Sequence, residues 1–141
     1  YSKKFIMIGS GQNKKTIAYV ENVALFLQKV MSLPAGIHLY NYADKPDMTM
    51  MEMVKTIRGK FGMNGKGIQV PYIIGLSGGY AFDALARITG KQFPISSIRI
   101  KKFVANTIVN SEKAYNDLNF KPSYTLKDGL ANMIDADFSD M

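Results

Sequence analysis

No cysteine and no tryptophan occur in the 141 residues, and histidine occurs once, at His38. The missing thiols exclude a disulfide framework, a zinc–thiolate site and a cysteine nucleophile. A lone histidine gives little support to a histidine-based metal site or a Ser-His-Asp triad, and His38 reads as a packed strand residue. No apolar run approaches the roughly 18 residues needed to cross a bilayer. A charged-then-apolar leader ending at small residues is also missing. The expectation is therefore a cytoplasmic protein with no membrane partner. The chain opens on Tyr1 rather than Met, which suggests a piece of something longer.

Acidic residues are scarce. There are 18 Lys and Arg against 11 Asp and Glu, a formal charge of +7. Residues 1–134 carry all 18 basic residues and only eight of the acids; Asp135, Asp137 and Asp140 supply the rest. That tail reads as a solvated end rather than a metal cluster. A pI near 9.5 admits polyanionic partners: nucleic acid, an anionic membrane or a phosphorylated small molecule. The basic residues come as short pairs, Lys3–Lys4, Lys14–Lys15 and Lys101–Lys102, with no block of five or more. This weakens the reading as a nucleic-acid-binding tail. A hydrophobic share of 47% is ordinary for one globular domain over residues 1–141.

Hydrophobic periodicity organises the chain. Phe5–Ile8 reads as a strand closed by Gly9-Ser10-Gly11, with Thr16–Val20 placed to pair with it as a hairpin. Val20, Val23, Ala24, Leu27, Val30 and Met31 recur at helical spacing and predict an amphipathic helix ending near Ser32. Ile37–Tyr42 predicts a strand. Thr49 and Glu52 have the spacing of a capping box. Met50, Val54, Ile57 and Phe61 form the stripe behind it, and Gly62 is a natural terminator. Among Met48, Met50, Met51 and Met53, Met50 is expected in the core and some of the others at solvent or an interface. Asn64–Gly67 reads as a turn, and Ile68–Val70 as a short extended stretch. Pro71–Thr89 is helical but interrupted at Gly75, Gly78 and Gly79, which predicts two helices hinged at the glycine pair and ended by Gly90. Short helices are expected over Ile95–Val104 and Ser111–Leu118, with a brief extended piece at Thr107–Val109 between them. A last amphipathic helix begins after Thr125. Short strands set among helices give an α/β or α+β class, mostly helical with a few short strands.

Gly9-Ser10-Gly11 begins like a dinucleotide-binding fingerprint, but the third glycine is replaced by Lys14, so it reads as a turn. Arg99, followed by Lys101 and Lys102, and Lys14–Lys15 are separated cations of the kind that converge on a diphosphate. Arginine supplies the two-pronged hydrogen bonds and lysine a point charge.

Five strings carry a resemblance: residues 8–24 (IGSGQNKKTIAYVENVA), Leu39–Asp44 (LYNYAD), Asn110–Ala114 (NSEKA), Leu118–Pro122 (LNFKP) and Thr125–Leu130 (TLKDGL). In order and spacing they resemble the C-terminal portion of the extended short-chain dehydrogenase/reductases. More narrowly, they resemble the NAD-dependent epimerase/dehydratase branch acting on nucleotide sugars. Nearly the whole chain is covered. The resemblance implies a substrate-binding region whose N-terminal dinucleotide domain lies elsewhere, together with the Gly-rich loop and the Tyr-x-x-x-Lys pair. No tyrosine here has a lysine four residues on.

In the parent enzyme implied by the resemblance, that tyrosine acts as acid and base, and NAD takes and returns hydride. This portion then holds the substrate diphosphate through Arg99 and Lys15, and contributes no catalytic and no cofactor-binding residue of its own. Many relatives have Arg in place of Lys15 and Asp in place of Asn22. The resemblance also sets the helix from Glu21 and the strand at Leu39 against the missing domain; cut away from it, that strand exposes an unpaired edge and an apolar face, so the isolated chain is expected to self-associate. Two other functions remain open from the residues alone: a basic nucleic-acid-binding module and a non-catalytic interaction domain.

Overall fold

The computed structural model describes residues 6–63 and 67–138. Lys3–Lys4, Phe5, the first three residues of the turn at 64–67, and Asp140 lie outside them. In chain order come β1 (Ile6–Ile8), β2 (Lys14–Lys15), α1 (Val20–Val30), β3 (Met48–Thr49), α2 (Met50–Lys60), β4 (Ile68–Val70), α3 (Tyr72–Thr89), α4 (Ser97–Val104), α5 (Glu112–Leu118) and α6 (Leu126–Phe138). The class is as expected, with six helices and a few very short strands among the described residues.

The pairing of the strands differs from the expected hairpin. β1 runs parallel to β4, Met7 opposite Gln69, and the Gly9 N–H extends the ladder to the Val70 carbonyl at 2.9 Å. β2 instead pairs antiparallel with β3. Positive φ at Gly9 and Gly11 turns the chain away between them. Gly11 then passes so close to α2 that an added Cβ would stand 3.2 Å from the Met51 Cβ. Packing, rather than phosphate binding, explains this glycine.

Local signals set the helix ends. The Thr49 N–H donates to the Glu52 carboxylate (2.7 Å) and the Glu52 N–H to the Thr49 hydroxyl (3.1 Å), a closed capping box. The bond from the Thr49 N–H, and then a second from its hydroxyl (2.8 Å), hold the Glu52 carboxyl below the usual range. At the other end of α2, Gly62 takes φ 66°. Gly62 and Met63 donate to Gly59 and Arg58, which closes a Schellman turn. Gly90 ends α3 in the same left-handed conformation.

α3 is one continuous helix, not two. Gly79 is no hinge: it is the contact point with α4, where a Cβ would meet the Ser97 backbone at 2.8 Å. Gly75 likewise lies against Ile8. The glycines let helix and strand approach, and helical hydrogen bonding runs through them.

Two apolar clusters form. Phe26, Ala114, Leu118 and Phe120 make one, with Tyr40, Tyr42 and Tyr115 around it. Met7, Met51 and Val54 make the other, joined by Met50 and Phe103, so Met51 and not Met50 is the deepest methionine of α2. The inward face of α1 is therefore Asn22 and Phe26. Much of the expected apolar stripe points out: Val20, Leu27 and Met31 are exposed. The aromatic cluster explains this, since Phe26 meets Tyr42 and Phe120, with Val30 packed beside them. Residues 37–44 make no strand. Tyr40 and Tyr42 turn to the core, while Ile37 and Leu39 stand almost free.

Candidate functional site

Both diphosphate candidates attach to α4, at its two ends. The Lys15 ammonium donates to the carbonyls of Lys102 (2.9 Å) and Ala105 (2.7 Å), and more loosely to the Thr107 hydroxyl. These are the orphan acceptors at the end of α4, where a cation also complements the helix dipole. Neighbouring residues clamp the same end. Asn13 Nδ2 donates to the Phe103 carbonyl at 2.9 Å, and the Lys14 N–H to Asn106 Oδ1 at 2.7 Å. Lys14 and Lys15, which the expected hairpin leaves between its two strands, themselves form β2, and Lys15 is bridged to Thr107 as well.

Arg99 lies in the first turn of α4, exposed, with Nη1 donating to the Pro94 carbonyl at 2.7 Å. The Ser96 hydroxyl caps this end by accepting from the Arg99 N–H. Asp83 of α3 receives the Ser97 hydroxyl at 2.5 Å, which places a carboxylate at the positive end of α4. By the 1.5 Å rise per residue, Arg99 and the carbonyls held by Lys15 are about 5–9 Å apart along the axis. Neither residue lines the open groove of about 500 Å³ between the starts of α2 and α6, nor that of about 420 Å³ along the seam of α3 and α4.

A second polar centre holds the chain beside this helix. Asp44 is buried and accepts from the Tyr19 N–H (2.7 Å), from Asn22 Nδ2 (3.0 Å) and from the Tyr42 hydroxyl. Burial first, then this bond to Asp44, pushes the Tyr42 phenol up. Asn22 also spans to the far end of the sequence: its Oδ1 accepts from Ser123 and Tyr124, and its Nδ2 donates to the Tyr124 carbonyl. Nearby, Thr16 donates to Asp47, Lys45 pairs with Asp47 at 2.7 Å, and Val109 N–H donates back to Thr16. Burial opposes ionisation of Asp47, yet hydrogen bonds from Lys45 and Thr16 hold its carboxyl below the usual range.

Sequence reasoning named neither Asp44 nor Asn22 as a structural centre. The only hint was the Tyr-Asn-Tyr-Ala-Asp string at 40–44. His38 accepts no special role: its Nε2 sits 2.9 Å from the Pro34 carbonyl, at the surface. Asp135 is on α6 and pairs with Lys60. Among the described residues no group of three or more His, Cys, Asp or Glu is arranged to hold a metal. The Gly9–Gly11 turn leads into β2 rather than a helix start, so these residues do not fit a dinucleotide phosphate loop.

The fold matches solved enzymes. A dTDP-glucose 4,6-dehydratase of Bacillus anthracis in complex with NAD superposes with TM-score 0.63, at 19% identity, over 98% of this chain and 35% of that one. A UDP-glucose 4-epimerase of Thermotoga maritima with UDP-glucose gives TM-score 0.57, at 16% identity, over 91% of this chain and 32% of that one. The fold is therefore shared with about a third of each of these two enzymes. In sequence the chain is 39% identical over 136 residues to an N-acetyl-alpha-D-glucosaminyl-diphospho-ditrans,octacis-undecaprenol 4-epimerase of Escherichia coli O157:H7. The match takes in 96% of this chain but only 41% of that enzyme. An uncharacterised protein of Sinorhizobium fredii is 27% identical over 143 residues, 94% of this chain and 38% of its own length. No family model matches.

Proposed function

We propose that this chain is the substrate-binding, C-terminal portion of an NAD-dependent epimerase or dehydratase acting on a sugar linked through a diphosphate. The observation that carries the reading is the 39% identity, along almost the whole chain, to an epimerase whose substrate is a sugar on a diphosphate. That relative's sugar rides on undecaprenol, whereas the structural neighbours bear the names of dTDP- and UDP-sugars. The chemistry common to all of them is the diphosphate.

Arg99 is the residue suited to it. It is exposed, its fork retains donors beyond the one spent on Pro94, and Lys101 and Lys102 follow it. Lys15, with its ammonium on two backbone carbonyls, acts by fixing the helix that presents Arg99. NAD and the tyrosine–lysine pair belong to the remainder of the parent.

Isothermal titration on the intact protein tests this, with a UDP-sugar in one arm and a polyprenyl-diphospho-sugar in the other. Arg99→Ala is expected to weaken whichever ligand binds by about ten- to a hundredfold, the loss of a charge-assisted pair. Unchanged affinity removes Arg99 from the role, and no binding in either arm removes the reading.

The same reading has the remainder of the parent covering the outward side of α1 and Ile37–Leu39. Val20, Met31, Ile37 and Leu39 are all exposed there, too much apolar surface to leave in water. The 141-residue chain alone is therefore expected to self-associate. Light scattering checks this, and a monomer at high concentration would refute it.

A further inference from the structure

A second apolar face lies on α3, and it is not explained by the diphosphate. The buried side of this helix is Gly75, Gly79 and Asp83, turned toward β1 and α4. Its outward side is also apolar. Ile73 is 76% exposed, Ile74 63% and Ile88 82%, with half-exposed Leu85 on the same side. From Tyr72 to Ala86 the only charged residue is Asp83, which faces Ser97. A helix that is apolar all round belongs in a core or against lipid, and this one has a core on one side only.

Cations edge this ridge. Lys101 of α4 sits 5.3 Å from the centre of the Tyr80 ring, which fixes α4 along one flank of the ridge. Arg99, Lys102, Arg87 and Lys91 are exposed on the same helix pair or just beyond it. Between Ile68 and Asn110 there are five basic residues and one acid, Asp83, a net +4 (5 − 1). An apolar ridge rimmed by Lys and Arg, with tyrosines at its edge, is the arrangement that settles into the headgroup layer of an anionic bilayer.

We propose that α3 and α4 form a membrane-surface binding face: the isoleucine ridge of α3 enters the headgroup–acyl boundary of an anionic phospholipid bilayer, while Arg87, Lys91, Lys101 and Lys102 meet lipid phosphates. The helix lies on the membrane and does not cross it; no described helix is long and apolar enough for that. A surface-bound helix needs no spanning segment, so the lack of one bears only on crossing. Charge complementarity selects lipid over a second copy of the chain, since two such faces would bring their basic rims together. The apolar ridge selects lipid over nucleic acid.

The proposal does not depend on the catalytic reading, because vesicle flotation is scored without substrate. The intact protein should float with vesicles of phosphatidylglycerol and phosphatidylcholine at low salt, and remain below with phosphatidylcholine alone. Ile74→Glu with Ile88→Glu should reduce binding at least about tenfold without lowering the melting temperature, because both side chains already face water. Lys101→Glu with Lys102→Glu should reduce it similarly and flatten the salt dependence.

Failure to float with anionic vesicles overturns the proposal, as does equal binding to neutral ones. So does a lowered melting temperature in the isoleucine variant, which would show that the rest of the protein covers the ridge. A dimer dissolved by that variant would assign the face to a second copy. Binding to a single-stranded oligonucleotide that survives the isoleucine changes would assign the cations to nucleic acid.

Discussion

Replacing Asn22 with leucine is expected to remove about 3–5 kcal/mol of folding stability. The side chain is fully buried, and its amide uses all of its capacity. It donates to Asp44 and to the Tyr124 carbonyl, and accepts from the N–H groups of Ser123 and Tyr124. Leucine fills nearly the same space but strands every one of those partners. A buried group left without its hydrogen bond costs about 1–3 kcal/mol, and a charged one more. Asp44 keeps the Tyr19 N–H and the Tyr42 hydroxyl, so the loss is partial at that end and complete at residues 123–124. Against the 5–15 kcal/mol typical of a whole domain, this is a large fraction. Urea unfolding followed by circular dichroism should show a much lower midpoint at an unchanged slope. A shift worth less than about 1 kcal/mol would mean that water replaces the amide, and that the hub is not structural.

Phe26→Ala is expected to cost a similar amount, about 3–5 kcal/mol, for a different reason. The ring lies parallel to Tyr42 with centroids 4.5 Å apart, and meets Phe120 edge-on at 5.6 Å and Tyr40 at 6.3 Å. Truncation leaves a void bounded by three large rings that cannot all close on it. Calorimetry should show a melting temperature lower by roughly 10–20 °C. The two sites share Tyr42, whose ring stacks on Phe26 and whose hydroxyl serves Asp44. The double variant should therefore lose less than the sum of the singles. Strict additivity would show the cluster and the hub to be separate.

Helix ends were the part of the fold most readable in advance. Thr49 with Glu52, Gly62 and Gly90 do their work with partners a few residues away, and local chemistry is visible in local sequence. The strand pairing was not. β2 finds β3 more than thirty residues on, and β1 finds β4 about sixty residues on; short strands carry too little pattern to choose a mate. The inward side of α1 was misjudged because periodicity counts apolar residues without weighing them. The aromatic neighbours of Phe26 and the hydrogen bonds of Asn22 outweighed a longer row of aliphatics. The glycines of α3 were misread for a related reason. A glycine that permits close packing and one that permits bending look alike until the neighbouring helix is in place.

Of the candidate site, Arg99 and Lys15 were proposed as separated cations and through resemblance to a family. That both belong to a single helix, one by position and one by gripping its carbonyls, was visible only in three dimensions. The net charge of +7 also looks different once distributed. A group of the basic residues gathers along the apolar ridge of α3, whereas the diphosphate would use one or two.

The clamp on α4 bears on how the chain is made. Asn13, Lys15, Thr16 and Asn22 find their partners at residues 102–109 and 123–124, some 87 to 102 positions later. During synthesis these side chains leave the ribosome well before those partners and have nothing to hold until most of the described sequence has followed. At about 5–20 residues per second, that is a wait of roughly five to twenty seconds. Through that interval α1 has lost the company of Tyr124, and Lys15 has no helix end to cap. Residues 13–22 are thus fastened long after they are made, and a nascent chain stalled before residue 124 would display them open to any chaperone or protease within reach.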